Sequence, residues 1–452
     1  MVKVITYGTY DLLHRGHIRL LERAKALGDY LIVGVTADSF DRSRGKINVQ
    51  QSIMERIEAV KATGLANEII IEEYEGQKID DIKRLGVDIF TVGSDWVGKF
   101  DYLNEFCKVV YLERTAGVSS SEIRAEQKTL RIGLVGESAI LNKFEHESRY
   151  VNGVSISGLF SLNKQYLSPQ IRSLNCQASQ LTELLEVSDA LYIVSHPRCH
   201  YEQIKQSLLA GKHVLCESPI ALSLDNTLEL EQIANERGLL LVDAIKTAYS
   251  TAYNRMLLLV KSGRIGIPIA IDATCTSMSE LERTGMIQST NNTWNSICAW
   301  GPTAMLPVFQ LLGTGYRDKR IISNLVSKDF DAFTNISFIY NNAIASVKIG
   351  KGVKSEGELI ISGTQGYIYV PSPWWKTDYF ELRYENPINN RRYFYPLEGE
   401  GIRNMIVNFY KSVKMKKRSF SLIEIDHSRQ IVTVIENFYN HNLIEIGSKC
   451  LN

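Results

Sequence analysis

Apolar positions in this chain come in short runs separated by amphipathic stretches. Strand-like runs fall at 2–7, 30–36 (YLIVGVT), 68–72, 87–92 (VDIFTV) and 108–112 (KVVYL). Between them apolar residues recur with helical spacing, most clearly over 17–28 and 52–63. That alternation predicts a parallel sheet with right-handed crossovers. The charged stretch Glu122 to Lys128 reads as a closing helix or linker. A second alternating series opens with Leu130-Arg131-Ile132-Gly133-Leu134-Val135-Gly136 and continues through 190–195, 213–217 and 239–244. From about 267 the rhythm shifts toward period two, over 267–277, 333–340, 343–349 and 356–362. Asn341-Asn342 suits a hairpin turn between two of these runs. A largely antiparallel sheet with one face covered by helices is predicted there.

The pattern predicts an α/β chain in three parts. Residues 1–128 form a Rossmann-like domain, 129–248 a second doubly wound domain, and 249–452 an α+β open-sheet domain. A length of 452 residues agrees, because one core rarely serves so long a chain. Charge narrows the partners: 51 basic against 50 acidic residues give no nucleic-acid surface. No apolar run is long enough to insert in a membrane. Met1-Val2-Lys3 runs straight into a strand, without a signal peptide. Seven scattered cysteines with no CxxC pair indicate neither a metal site nor a disulfide framework. A cytoplasmic, reduced protein is expected.

Chemistry concentrates at the start. Val4-Ile5-Thr6-Tyr7-Gly8-Thr9-Tyr10-Asp11 leads into His14-Arg15-Gly16-His17: a strand, a turn and two histidines at a helix start. Helix N-termini present free N–H groups to phosphate. Paired imidazoles can donate to charge that builds on a reacting phosphorus. Alone, the two histidines would equally serve as a cap and a surface residue. Two further segments bear on the choice, Val92-Gly93-Ser94-Asp95-Trp96 and Arg114-Thr115-Ala116-Gly117-Val118-Ser119-Ser120-Ser121. With VITYGTYDLLHRGHIRLLERAKALGDYLIVGV, these resemble the glycerol-3-phosphate cytidylyltransferase family, including its GxDW and RTxGIST segments. An HxGH nucleotidyltransferase fold is implied.

The resemblance implies roles. Gly8, Thr9 and Tyr10 line the nucleotide pocket, and His14 and His17 stabilise the reacting phosphorus. Lys46, with Arg44 beside it, closes over the triphosphate from a polar loop. Arg114, Thr115, Ser119 and Ser120 hold the departing phosphates. Asp95 touches nucleotide or acceptor, and Asp11, Arg44, Lys46 and Arg56 face the acceptor, with Arg56 on its phosphate. Solvated surface charge is the plain alternative for Arg44 and Arg56. Magnesium accompanies CTP, with Asp11 near it. Ser94 departs from the acidic residue common there.

Residues 130 to about 440 resemble the glucose–fructose oxidoreductase/inositol dehydrogenase (Gfo/Idh/MocA) family. The resemblance rests on His196-Pro197 with His200, on Ala210-Gly211-Lys212-His213-Val214-Leu215-Cys216-Glu217-Ser218-Pro219, and on Ile361-Ser362-Gly363-Thr364-Gln365-Gly366. It implies NAD(P), with Gly133, Gly136, Ser138, Ser195, His196, Glu217 and Lys246 about the cofactor. Two departures stand out. Ser138 and Leu141 replace a close-approach glycine and a small packing residue, where a side chain would crowd phosphate or helix. Ser218 replaces the lysine that follows the glutamate, and the later Ala299-Trp300-Gly301-Pro302-Thr303 carries no histidine. Lys246 could supply a displaced cation or form a structural ion pair. Trp374, Trp375 and Tyr379 suit a pocket or a core.

The reading is CMP transfer from CTP to a small phosphorylated polyol such as glycerol 3-phosphate, for cell-surface polymers. In a bifunctional version the second part reduces a keto phosphate to that polyol phosphate. In another the second part is a non-catalytic dimerisation module; a homodimer or homotetramer is expected by family resemblance. Adenylyl transfer on the same HxGH fold is a third reading.

Overall fold

The computed structural model describes residues 1–43, 49, 51–74, 76–113, 129–278, 294–395, 397, 399–415 and 422–447. The chain forms two compact units, one centred on Met1–Thr129 and the other on Leu130–Arg149 with Val154–Asn452.

In the first unit, strands β1 (Lys3–Gly8), β2 (Tyr30–Thr36), β3 (Glu68–Glu72), β4 (Ile89–Gly93) and β5 (Lys108–Leu112) form one sheet. Its order is β3-β2-β1-β4-β5, and every pairing is parallel. The central β1 is buried on both faces: Val4 and Ile5 are fully buried in opposite halves of the core. Helix Arg15–Lys25 buries Leu21 and Ala24 and carries Arg23 and Lys25 in its last turn, where cations suit the dipole. Helix Ile53–Ala62 starts at a Ser52/Glu55 capping box. Chain order reverses between β1 and β4, so a crevice opens at the carboxyl ends of these strands. The predicted strands and the two clearest helices lie where the pattern put them, within a residue or three. The stretch Glu122 to Lys128 lies outside the described residues.

The second unit holds two sheets. Strands β6 (Leu130–Val135), β7 (Val154–Phe160), β8 (Gln177–Ala178), β9 (Ala190–Ile193), β10 (His213–Cys216) and β11 (Leu241–Asp243) run parallel in the order β11-β10-β9-β6-β7-β8. Here the order reverses between β6 and β9. The other sheet has ten strands. Its centre comprises β12 (Pro268–Met278), β13 (Asp318–Ser327), β14 (Phe330–Ile339), β15 (Ile344–Gly350) and, after the two-residue β16 (Gly352–Val353), β17 (Leu359–Gly363). Most pairings are antiparallel, but β12 runs parallel to β15. Asn341-Asn342 joins β14 to β15 as the pattern predicts. Helix Ser296–Leu312 covers one face, against β12, β14 and β15. Trp374 is core: it is fully buried and donates Nε1–H to the Thr274 carbonyl at 3.0 Å. Trp375 packs on Trp300, ring centres 4.8 Å apart. Among the described residues no helix is long and apolar enough to cross a membrane.

Candidate active site

The turn from β1 into helix Arg15–Lys25 is wound tightly. Tyr10 and Leu12 take φ of +53° and +48°, a region that costs a side-chain-bearing residue energy and clusters at functional sites. Tyr10 is thereby folded under the strand end, buried, with its ring against Gly8. A Cβ at Gly8 would come within 3.0 Å of that ring. Loop partners hold the turn in place. Leu12 N–H donates to Gln51 Oε1 at 2.7 Å, and Gln51 N–H to Asp11 Oδ1 at 3.0 Å. Thr9 Oγ1–H donates to Asp41 Oδ1 at 2.8 Å.

His14 caps the helix, its Nδ1 accepting from Gly16 N–H at 3.1 Å. An Nδ1 that accepts leaves the neutral ring's proton on Nε2. The cap therefore fixes the tautomer, and Nε2–H becomes the donor. His17 stacks on His14 with ring centres 3.8 Å apart, and Tyr10 meets His17 edge-on at 5.5 Å. Two imidazoles thus share one helix start at the mouth of the β1/β4 crevice.

Arg56 is not where an acceptor would meet it. Its side chain is fully buried. Its guanidinium donates to the carbonyls of Thr9 (2.6 Å), Thr36 (2.9 Å) and Gln51 (3.2 Å), to Asp41 at 3.4 Å and to Asp38. It is neither a phosphate ligand nor a solvated charge but the tie that binds the ends of β1 and β2 to the next loop. Asp95 stands on the 3₁₀ turn Ser94–Trp96 that follows β4; its side chain lies outside the described residues. So do Arg44, Lys46, Arg114, Thr115, Ser119 and Ser120.

In the second unit, Gly136 has φ +124° and its added Cβ would sit 2.6 Å from Ser195 N. The glycine is required where the ends of β6 and β9 converge. Gly133 lies inside β6, where a Cβ would strike Ser188 Oγ at 2.6 Å and the Leu191 and Leu184 side chains. It is a packing glycine, away from the crevice. Leu141, expected to crowd its helix, is instead fully buried in the core, which accommodates it. Ser138 Oγ accepts from Ile140 N–H at 3.3 Å at the start of helix Ile140–Ser148. Ser195 Oγ–H donates to Gln203. His196 caps helix Pro197–Leu209, and buried His200 sets one ring nitrogen 2.8 Å from Ser195 O and the other 2.7 Å from Pro219 O, its single N–H donating to one of them.

Polar groups gather at the carboxyl ends of β9, β10 and β11. Tyr192 donates to Glu217 Oε1 at 2.5 Å, and its ring stacks on Phe144 with centres 4.0 Å apart. Burial pushes the Glu217 carboxyl up to about 7, against the pull of Tyr192 and Lys246. Burial lowers the Lys246 ammonium, while the Glu400 and Glu217 carboxylates act the other way. Lys246 Nζ lies 3.5 Å from Glu400 Oε2. Ser218 Oγ is buried and makes no hydrogen bond among the described residues. Sequence reasoning passed over Tyr192, Lys143, Lys376 and Glu400; the only local signal was the glycine pair in Gly399-Glu400-Gly401.

A cytidylyltransferase-like family profile matches residues 5–126, and one for an oxidoreductase family with an NAD-binding Rossmann fold matches residues 130–244. The glycerol-3-phosphate cytidylyltransferase of Bacillus spizizenii (strain W23) is 48% identical over 130 residues, 29% of this chain and 100% of that protein. The Staphylococcus aureus enzyme of that name is 45% identical over 130 residues, 28% of this chain and 95% of that protein. An FAD synthase from Thermococcus sibiricus is 37% identical over 94 residues, 21% of this chain and 64% of that protein. Among solved structures, the 3-ketoreductase KijD10 from Actinomadura kijaniata, in complex with NADP and TDP-benzene, aligns with a TM-score of 0.61 at 16% identity. That alignment covers 70% of this chain and 99% of the other. The UDP-N-acetylglucosamine 3-dehydrogenase GnnA from Acidithiobacillus ferrooxidans gives 0.57 at 16% identity, over 69% of this chain and 97% of the other. At such identity these structures speak to fold alone.

Proposed function

We propose a function from one premise: the chain belongs, by its N-terminal unit, to the glycerol-3-phosphate cytidylyltransferase family. That unit is a nucleotidyltransferase. In our reading it transfers CMP from CTP to glycerol 3-phosphate. An oxygen of the acceptor phosphate attacks the α-phosphorus of CTP. The bond from that phosphorus to the β-phosphate oxygen breaks, giving CDP-glycerol and pyrophosphate. Magnesium enters with the triphosphate as part of the substrate and screens its charge. His14 donates through Nε2–H to the oxygens of the reacting phosphorus, and His17 acts beside it. Gly8, Thr9 and Tyr10 shape the nucleotide side of the pocket. Lys46 and Arg44 close over the phosphates, Arg114, Thr115, Ser119 and Ser120 hold the leaving pyrophosphate, and Asp11 and Asp95 meet acceptor or nucleotide. Those last roles rest on resemblance. The product would supply a cell-surface polymer from the cytoplasm, with the chain acting as a homodimer or homotetramer.

The stacked His14–His17 pair at a fixed-tautomer cap is the observation that carries this reading. Pyrophosphate release from CTP, ATP and a panel of polyol phosphates tests it. CTP with glycerol 3-phosphate should turn over fastest. A preference for ATP would sink the cytidylyl assignment.

A second reading concerns the second unit: an NAD(P)H-dependent reductase that makes the polyol phosphate. Tyr192, Glu217 and Lys246 side by side at the strand ends favour it. A nicotinamide dinucleotide fits the β6 turn, where Gly136 admits the sharp bend and a helix N-terminus follows. When bound it would carry the hydride. Lys246 would hold a substrate oxygen in place of the lysine that Ser218 replaces, and Tyr192 with Glu217 would move a proton. NAD(P)H oxidation with dihydroxyacetone phosphate and longer keto phosphates checks this. No binding and no oxidation would leave a non-catalytic module.

A further inference from the structure

Four segments far apart in sequence meet at one carboxylate in the second unit. Lys143 Nζ lies 3.1 Å from Glu400 Oε1, and Lys376 Nζ lies 2.7 Å from Oε2. Lys246 Nζ approaches the same Oε2 at 3.5 Å. Lys143 comes from helix Ile140–Ser148, Lys246 from the turn after β11, and Lys376 from the 3₁₀ turn Trp374–Lys376. The frame around them is tied. Thr247 Oγ1–H donates to Trp375 O at 3.0 Å, which joins the turns of Lys246 and Lys376. Arg403 Nε–H donates to Glu147 Oε2 at 2.7 Å, which joins the segment after Glu400 to the helix of Lys143.

The charges do not balance. Three ammoniums against one carboxylate leave an excess of two positive charges. Lys246 also faces Glu217, whose carboxyl burial pushes up to about 7, so it offsets that ammonium only in part. Glu400 remains ionised: burial acts to raise it, but Lys376 and Lys143 pull it down to about 2. It is only partly covered, with its side chain 28% exposed. Gly399 and Gly401 flank it with φ of +58° and +77°, a left-handed backbone that favours glycine, and Gly399 packs closely on Glu147.

We propose that Lys143, Lys246 and Lys376 bind the phosphate of a small phosphorylated polyol or its keto precursor, and that Glu400 occupies this place until the phosphate takes the ammoniums from it. The charge selects the ligand class. With Glu400 displaced, three ammoniums remain, and a phosphate monoester meets them with about −1.5 to −2 at neutral pH and three acceptor oxygens, more charge than the carboxylate it replaces. A monocarboxylate would bring no more than Glu400 already supplies from its high effective concentration within the chain. The site lies beside the Tyr192–Glu217–Lys246 row. Its ligand identity rests on the reductase reading, because the phosphate would anchor the molecule whose carbonyl lies against that row.

The test is lysine reactivity. The full chain is acylated with an amine-reactive reagent, and modification of Lys143, Lys246 and Lys376 is followed by peptide mass spectrometry. Glycerol 3-phosphate and dihydroxyacetone phosphate should slow modification of all three several-fold, and glycerol should not. Glu400→Gln should bring protection at roughly tenfold lower probe concentration, because the internal competitor is gone. Lys376→Ala should weaken protection at the other two lysines. Failure of both phosphorylated probes to protect the parent and Glu400→Gln chains would overturn the site. Protection by NADPH with no further effect of a phosphorylated probe would assign the lysines to the cofactor instead. Loss of protection in Glu400→Gln would overturn the exchange. The footprint needs no turnover. Protection without NAD(P)H oxidation therefore rejects the reductase reading alone, and NAD(P)H oxidation without protection rejects this site alone.

Discussion

The two units make the same turn and use it differently. In each, a central parallel strand ends at a switch in strand order and leads into a helix: β1 into Arg15–Lys25, β6 into Ile140–Ser148. In the first, the residue that satisfies a helix N–H is His14. In our reading structural need and chemistry fall on one imidazole, whose remaining N–H the cap leaves on Nε2. In the second, Ser138 does the satisfying, and it brings no cation and no titrating group. The polar groups of that unit lie instead on other strand ends, at Tyr192, Glu217 and Lys246. One topology therefore offers a site at the same place twice, and the cap residue decides whether chemistry can sit on the turn itself.

The sharpest way to break this contrast is at the cap. His14→Ala or His17→Ala should lower the rate of pyrophosphate release by about 10²- to 10⁴-fold, as loss of a positioned donor does. His14→Asn keeps a good cap, so it should retain thermal stability while losing activity. Equal losses of stability and activity in His14→Asn would reduce His14 to a cap. Ser138→Ala in the second unit removes one exposed hydrogen bond beside the Ala139 N-cap and should cost no more than about 1 kcal/mol of stability, with no comparable loss of any NAD(P)H reaction.

Arg56 separates the turn's frame from its chemistry. Arg56→Ala leaves Asp38 and Asp41 without their buried cation and strands three carbonyls. The expected cost is about 3–5 kcal/mol of first-unit stability, read by thermal or denaturant unfolding. Arg56→Lys should rescue little, because one ammonium cannot span acceptors on separate segments. A variant of normal stability with a raised KM for glycerol 3-phosphate would restore Arg56 to the acceptor.

These two residues show what a sequence can and cannot disclose. The pairing of His14 and His17 was legible because both lie within one short segment whose spacing carries its own geometry. Arg56 was not: its burial depends on Thr9, Thr36, Asp38 and Asp41 arriving from other elements. The parallel sheets were legible because buried strands read as apolar runs. Leu141 misled, since crowding inferred from a motif disappears when the core is shaped to receive the side chain. The three lysines about Glu400 come from three segments and Glu400 from a fourth, and no pattern in any one of them announces the others.

Glu217 tests whether the second unit's chemistry sits on the strand ends. Its folded pKa, about 7, is raised above the model-peptide value of 4.5. A raised carboxyl favours the folded state when protonated, so its contribution is full below the unfolded value and is lost as pH rises through about 7. The loss has a ceiling of ~3 kcal/mol from the size of the shift. Unfolding curves of the parent and Glu217→Gln, compared between pH 5 and pH 8, should diverge in that window, with the variant flatter. Parallel curves would mean that Glu217 is ionised throughout and tightly paired with Lys246.

The smallest effect is expected at Ser218, and its sign decides most about the second unit. The hydroxyl is buried and makes no hydrogen bond among the described residues. A buried donor without a partner costs free energy, so Ser218→Ala should leave stability unchanged or raise it by up to about 1 kcal/mol. It should also leave any NAD(P)H oxidation intact, because Lys246 and not Ser218 takes the place of the missing lysine in our reading. A rate that falls with Ser218→Ala, at unchanged stability, would show that the hydroxyl finds its partner only in a bound substrate. The family's missing lysine would then have been replaced in place, by a neutral donor, and the contrast with the cap of the first unit would narrow to a difference of charge.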